Sequence, residues 1–476
     1  MVHHSQTEPG GTSTSSLIDR QQTQPIAAIA TAQGRGSIGV VRISGSNLAG
    51  FLEALIGCTN KKLAVRTANY LTITDETGSV IDNAIVIYFE GPHSFTGEDV
   101  VEIQGHGGTA VMQLLLQRCL SVGKSIGLRL AEPGEFSLRA YLNDKIDLAQ
   151  AEAIADLIDA SSSAAAKAAA ASLSGAFSEE VNKLSDSIVH VRTLVEATLD
   201  FPEEEIEFIE KYQVKALLKR IDEQLQQVLD VSRQSSYLKE GLKVVLAGQP
   251  NVGKSSLLNA IFEQDIAIVT DIAGTTRDRI RESITIDGVP ILLTDTAGLR
   301  DTNDTIEKIG IERSWQAIED ADLILDVVDC RDPVSLLSKL TSNERLVKCD
   351  ILKVLNKSDL LDSNSRHLTE LRNNSIWVSA KTGQGIPELK RIILSFAGRQ
   401  IGEVSPWLGR VRHISALEVA QQHLQQALEH AQFDDRVLDL LAEELRLSHE
   451  ALGSITGAMS ADDLLGEIFS SFCIGK

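Results

Sequence analysis

The run Gly248-Gln249-Pro250-Asn251-Val252-Gly253-Lys254-Ser255 constrains this chain more than any other stretch. It lies between an apolar, β-branched segment, Val244-Val245-Leu246, and Ser256-Leu257-Leu258-Asn259-Ala260, which begins a helix. Gly248 and Gly253 let the backbone turn so that successive N–H groups face phosphate oxygens. Lys254 reaches β- and γ-phosphates, the Ser255 hydroxyl suits Mg²⁺, and the helix N-terminus adds its positive dipole. A Gly-rich loop is only a hypothesis until its surroundings agree.

Here the surroundings agree. Asp295-Thr296-Ala297-Gly298 follows the strand pattern Ile291–Thr294, as a metal-side Asp and a γ-phosphate Gly should. Asn356-Lys357-Ser358-Asp359 follows Ile351–Leu355, and Ser379-Ala380-Lys381 follows Ile376-Trp377-Val378. The Asp359 carboxylate accepts from the N1 and N2 protons of guanine, which adenine does not offer, so the nucleotide is GTP. Thr270-Asp271-Ile272-Ala273-Gly274-Thr275-Thr276 occupies the first switch, with Thr276 as the second hydroxyl for Mg²⁺. Leu299 stands where related enzymes carry a water-orienting Gln, so another group must do that work. For Asn251 two readings stand side by side: an oxygen ligand for a monovalent cation, or a plain turn residue.

At 476 residues the chain is long enough for several domains. The net charge of −21 confines any nucleic-acid contact to a local positive patch. Cys58, Cys119, Cys330, Cys349 and Cys473 lie far apart, which spells neither a disulfide framework nor a zinc site. No apolar run reaches bilayer length and no signal peptide is legible, so no membrane is expected and the cytoplasm is the default. Residues 1–22 read as a disordered tail. Residues 23–142 read as an α+β domain, with strands at Ile26–Ala30, Val40–Ile43 and Ala84–Phe89 and a helix at Val111–Val122. Residues 143–240 are helical, including a stretch at Ala164–Ala171 and another at Val214–Val231. The α/β GTPase block covers 241–398, and helices return over 399–476, notably Ser415–His430 and Asp435–Ser448. Short helical pieces are rarely stable alone, so the two flanks are expected to form one domain interrupted by an inserted Ras-like P-loop GTPase domain.

Outside that block the chain resembles the MnmE (TrmE) family of tRNA modification GTPases. The resemblance rests on Gly34-Arg35-Gly36-Ser37-Ile38-Gly39 leading into Val41-Arg42-Ile43-Ser44-Gly45, and on Ser94-Phe95-Thr96-Gly97-Glu98-Asp99 before Gln104-Gly105-His106-Gly107-Gly108. It continues with Pro133-Gly134-Glu135-Phe136, Asn143-Asp144-Lys145 and the ending Cys473-Ile474-Gly475-Lys476. It implies an N-terminal domain of folate-binding-like fold that forms a homodimer. It also implies an FAD-dependent partner subunit, in a heterotetramer, and tRNA but not DNA as substrate. The product would carry a carboxymethylaminomethyl or aminomethyl group at C5 of the wobble uridine, its carbon drawn from 5-formyl- or methylene-tetrahydrofolate. Carried over by motif, Arg42, Glu102, Lys145 and Lys476 contact the folate. Asn251, Thr270, Ile272 and Thr275 hold K⁺, Ser255 and Thr276 hold Mg²⁺, and Glu307 orients water beside the catalytic Lys254 and Gly298.

The residues by themselves say less. Gly34–Gly39 fits a dinucleotide fingerprint, but a strand rather than a helix follows, so a glycine turn between strands is the better account. His106 has no partner at ligand spacing and reads as structural or substrate-edge. Arg42, Glu102 and Lys145 read as surface charges and Glu307 as a first-turn helix residue. Cys473 is either a reactive thiol or an ordinary buried one. The competing function is a GTP-dependent RNA or ribosome assembly switch that modifies nothing.

Overall fold

The computed structural model describes residues 24–32, 34–57, 63–200, 213–262, 282–295, 317–333, 349–361, 374–397, 405–433 and 437–457, with 465, 468–469, 472–473 and 475 near the C-terminus. The chain divides into two compact units, residues 1–152 with 457–476, and residues 153–456.

In the first unit the strands are β1 (Ile26–Ile29), β2 (Ile38–Gly45), β3 (Asn69–Thr74), β4 (Val80–Phe89), β5 (Asp99–His106) and β6 (Arg129–Leu130). They form a sheet in the order β3-β4-β5-β2-β1-β6, antiparallel except where β6 joins β1. The alternation of β5 sends Val101 and Ile103 inward and leaves Glu102 and Gln104 on the other face. The inward set packs with Phe51, Leu52 and Leu55 of α1 (Ala49–Ile56) and Met112, Leu115 and Cys119 of α2 (Thr109–Val122). Each such side chain contributes about 1.5–3 kcal/mol of burial. Helix α3 (Glu135–Leu142) follows β6 and starts at Gly134, whose φ is 68°. The run expected as a glycine turn lies in the connection from β1 and enters β2 at Ile38 and Gly39, and its Gly36 amide donates to the Gly107 carbonyl beyond β5.

In the order of the chain come α4 (Leu148–Asp159), α5 (Ser163–Leu173), α6 (Ala176–Asp200) and α7 (Val214–Glu240). Next are β7 (Leu242–Ala247), α8 (Lys254–Phe262), β8 (Glu282–Ile286), β9 (Val289–Asp295), β10 (Leu323–Asp329), β11 (Asp350–Asn356), β12 (Ser375–Trp377) and α9 (Ile386–Phe396). Helices α10 (Val411–His430) and α11 (Leu438–Thr456) complete the second unit. Helix α7 outruns the expected Val214–Val231 because its buried stripe continues as Ser232, Ser235 and Leu238. The serines are buried against the returning chain: the Trp407 indole donates to Ser232 Oγ at 3.1 Å and the Gly409 amide to Ser235 Oγ at 2.7 Å.

Helices on either side of the α/β block pack on one another, α10 against α7 and α11 against α6. A polar pin crosses the α10–α7 contact, from Gln421 Nε2 to Gln226 Oε1 at 2.7 Å, and Ser448 Oγ donates to the Ala420 carbonyl at 2.9 Å to join α11 to α10. The second sheet runs β12-β11-β10-β7-β9-β8, parallel except for the β8–β9 hairpin. Its central strands β7 and β10 are near-continuous apolar runs because helices cover both faces. No helix among the described residues is long and apolar enough to cross a membrane.

Candidate functional site

A parallel sheet collects its loops at the carboxyl ends of its strands. The turn after β7 carries the Gly-rich run, and Gly248 there has φ 154° and Gly253 φ 94°. A Cβ on Gly248 would stand 2.2 Å from the Val327 carbonyl oxygen, and one on Gly253 2.5 Å from Asn356 Nδ2. Only glycine fits either place, which brings the loop's backbone close enough to cradle a phosphate. Lys254 opens α8 and its Nζ donates back to the carbonyls of Gly248, at 2.9 Å, and Gln249, at 3.3 Å. Its ammonium therefore spans the mouth of the loop. Ser255 and Ser256 are exposed in the first turn of α8, and Val252 is buried beneath the loop.

The end of β11 delivers Asn356, fully buried, whose amide nitrogen donates to the Val252 carbonyl at 2.9 Å. Its oxygen accepts from the Ala380 amide at 3.0 Å. One side chain thus joins the phosphate loop to the Ser379-Ala380-Lys381 turn after β12. Ser379 Oγ donates to Asp359 Oδ1 at 2.7 Å and fixes the orientation of that carboxylate. The Ser358 amide bonds the Val378 carbonyl at 3.1 Å, and Lys381 is exposed at the rim.

Lys357 has φ 66° and its Nζ donates to the Asn251 carbonyl at 2.7 Å and to Asp329 Oδ2 at 3.0 Å. Sequence reasoning missed Asp329. Its signal was the last position of the strand Leu323–Asp329, directly opposite Asn356 in the β10–β11 register. Hydrogen bonds from Arg331, then the Lys357 ammonium, hold the Asp329 carboxyl well below the usual carboxylate range. Asn251 itself is exposed with φ 66°, the left-handed geometry of a turn Asn. Thr270, Asp271, Ile272, Ala273, Gly274, Thr275, Thr276, Thr296, Ala297, Gly298, Glu307 and Lys476 lie outside the described residues, as does the 1–22 tail. Asp295 ends β9, opposite Leu246 of β7.

A second cluster sits on the first unit's sheet. Arg42 of β2 and Glu102 of β5 are register partners, and Arg42 Nε donates to Glu102 Oε1 at 3.0 Å. The guanidinium lies 5.9 Å from the Phe95 ring centre and 5.8 Å from that of Phe136. The loop carrying Phe95 is tied down by the Ser44–Thr96 hydroxyl pair at 2.7 Å and by Ser44 Oγ to Glu98 at 2.7 Å. Lys145 packs its stem on this loop, with Cε 3.1 Å from where a Cβ on Gly97 would be. Cys473 is exposed, and its carbonyl accepts from the Gly134 amide, two residues from Phe136. Gly475 is buried against the Ile29 carbonyl.

His106 has the partner that sequence spacing hid. Its Nδ1 meets Asp82 Oδ1 at 2.8 Å, and its amide donates to Asp82 Oδ2 at 2.8 Å. Burial raises the Asp82 carboxyl, but the His106 amide and ring and the Asn83 amide hold it below its ordinary value. Among the described residues no group of three or more His, Cys, Asp or Glu forms a metal site.

Residues 148–473 match the family described as the MnmE helical domain, and residues 25–145 that described as GTP-binding protein TrmE N-terminus. The tRNA modification GTPase MnmE of Bordetella avium (strain 197N) is 59% identical over 452 residues, covering 95% of this chain and 99% of that protein. The protein of the same name from Ralstonia nicotianae (strain ATCC BAA-1114 / GMI1000) is 52% identical over 465 residues, 96% of this chain and 97% of its own.

Proposed function

This chain belongs to the MnmE family of tRNA modification GTPases, and from that membership we propose that it hydrolyses GTP in the service of modifying a tRNA. The observation that carries the reading is the Asn356 side chain, which ties the phosphate loop at Val252 to the base-side turn at Ala380. Phosphate and guanine recognition are thereby built as one rigid unit.

In this reading Lys254, released from the Gly248 and Gln249 carbonyls, takes the β- and γ-phosphates, while Gly298 meets the γ-phosphate. Ser255 and Thr276 hold Mg²⁺, which supplies charge neutralisation at the phosphates. Asn251, Thr270, Ile272 and Thr275 hold K⁺. The exposed, left-handed Asn251 and its neighbours suit a cation held by oxygens, and Glu307 orients the attacking water in place of Leu299. The Arg42–Glu102 pair between Phe95 and Phe136 suits a flat heterocycle with N–H donors, as in a tetrahydrofolate, with Lys145 and Lys476 at its margin. The first unit is then the folate-binding and dimerising domain, and the mutual packing of α6, α7, α10 and α11 supports one helical domain interrupted at 241–398 by the GTPase domain. An FAD-dependent partner completes the chemistry at C5 of the wobble uridine, in the cytoplasm.

The test is steady-state GTP hydrolysis in K⁺ and in Na⁺ for wild type and Glu307→Ala, with nucleoside analysis of tRNA from cells lacking the gene. Faster turnover in K⁺, an inactive mutant that still binds GTP, and loss of a modified uridine are expected. Equal rates in both salts would sink the cation assignment. An unchanged nucleoside profile would sink the modification.

A further inference from the structure

The Ala-rich helix α5 packs on the GTPase sheet. Ala165, Ala168 and Ala169 are buried in one apolar core with Ile284 and Ile286 of β8 and Val289 and Ile291 of β9. Where those two strands turn, Gly288 has φ 83°, and a Cβ on it would stand 2.8 Å from the Ala164 Cβ. The approach is that close because neither residue carries more than a methyl.

Ser162, the N-cap of α5, makes two bonds with one hydroxyl. It accepts from the Ala165 amide at 3.1 Å and donates to the Gly288 carbonyl at 2.7 Å. A hydroxyl has one proton, so its donor is committed to the hairpin turn. From that turn β9 runs to Asp295, opposite Leu246 of β7, and β7 leads directly into the phosphate loop. Seven residues of strand span about 20 Å. One end of this hydrogen-bonded strand lies at the nucleotide's loop and the other is gripped by a helix cap.

We propose that Ser162 is a positioning residue that transmits the nucleotide state of the phosphate loop to α5. The β8–β9 hairpin is the rod and the Ser162–Gly288 bond is the coupling. A displacement of β9 when the loop closes on a triphosphate moves the Gly288 carbonyl against the hydroxyl. The same hydroxyl caps α5, so the first turn of that helix loosens or tightens in response. The coupling rests on the reading that this chain binds GTP, and a failure of binding is seen separately by nucleotide titration.

Two substitutions separate capping from coupling. Ser162→Thr keeps the donor and the acceptor. Ser162→Asp still caps the Ala165 amide but has no proton for Gly288. The experiment is amide hydrogen exchange across Ala165–Lys167 in the full chain, loaded with GDP or with a non-hydrolysable GTP analogue. In wild type and Ser162→Thr the two nucleotides are expected to change exchange by about fivefold, the ratio produced by one net hydrogen bond of about 1 kcal/mol. In Ser162→Asp exchange becomes the same in both nucleotides while analogue affinity is unchanged. Ser162→Ala, lacking the cap as well, exchanges faster in both and sets the level for capping alone. Nucleotide-independent exchange in the wild type overturns the proposal, and so does a Ser162→Asp protein that keeps the wild-type difference.

Discussion

The Asp329 carboxylate stands 3.0 Å from the Lys357 ammonium, at the point where β10 and β11 end side by side. Lys357 also holds the Asn251 carbonyl, so Asp329 acts on the phosphate loop through the lysine. Asp329→Asn is expected to weaken GTP binding about fivefold, the effect of about 1 kcal/mol after allowing for partial solvent screening. Isothermal titration with GTP measures it. The pH dependence has a definite sign. The carboxyl is held low in the folded state, so its contribution to stability is present above the unfolded value of about 3.9 and fades as pH falls toward the folded one. The gap in unfolding midpoint between wild type and Asp329→Asn should be constant near neutrality and shrink only below about pH 4.

Ser379 Oγ fixes the Asp359 carboxylate at 2.7 Å, and in the proposed role that carboxylate reads guanine in one orientation. Asp359→Asn replaces one carboxylate acceptor with a donor. Xanthine presents a carbonyl where guanine presents its amino group, so the amide matches xanthine and opposes guanine. With about 1.5–3 kcal/mol per hydrogen bond to a charged group, the preference for GTP over XTP should fall by roughly a hundredfold. Competition between the two nucleotides for a fluorescent analogue reads this directly. An unchanged preference would mean that Asp359 does not face the base.

Asp156, almost fully buried, receives Arg410 through two bonds at 2.8 and 2.7 Å and Lys239 at 2.7 Å. Lys239 lies in the last turn of the helix that leads into the GTPase sheet, and Arg410 precedes the helix that follows it. Asp156→Ala leaves Arg410 with its charge half-buried and its main partner gone, a loss of about 3 kcal/mol. Thermal unfolding followed by helical circular dichroism should shift down by about 4–6 °C. Asp156→Asn, which keeps the volume, should fall between.

The phosphate and base motifs were legible because each demands particular residue types at a strand end, within a few positions of one another. Asn356, Asp359 and Ser379 were named from sequence, and they meet at one end of the sheet. Asp329 was not, because an Asp closing an apolar strand looks the same whether or not it faces a lysine. Likewise His106 seemed alone although Asp82 lies beside it on the neighbouring strand. The anchors at Asp156 and Ser162 join residues 254 and 126 positions apart, pairings that no local pattern encodes. Helix extents erred for a related reason. The stripe of α7 past Val231 begins with two serines whose partners, Trp407 and Gly409, arrive from the far side of the α/β block.

Gly134 has φ 68°, and a Cβ there would stand 2.5 Å from the Phe469 carbonyl oxygen and 3.1 Å from the Phe472 side chain. Its amide donates to the Cys473 carbonyl, so α3 begins where the C-terminal tail docks. Gly134→Ala forces a left-handed alanine at a cost of about 1–2 kcal/mol and pushes on backbone that cannot yield like a flexible side chain. The tail, rather than the better-packed helix, is expected to give way. Limited proteolysis should then remove the residues after Phe469 faster than in the wild type. GTP hydrolysis should be unaffected, since Gly134 is remote in sequence from the phosphate loop and belongs to the other compact unit. Binding of a reduced folate should weaken if Lys476 serves that site. Wild-type cleavage kinetics in Gly134→Ala would show that other contacts, the Phe469–Phe472 and Tyr141–Phe469 ring pairs among them, hold the tail.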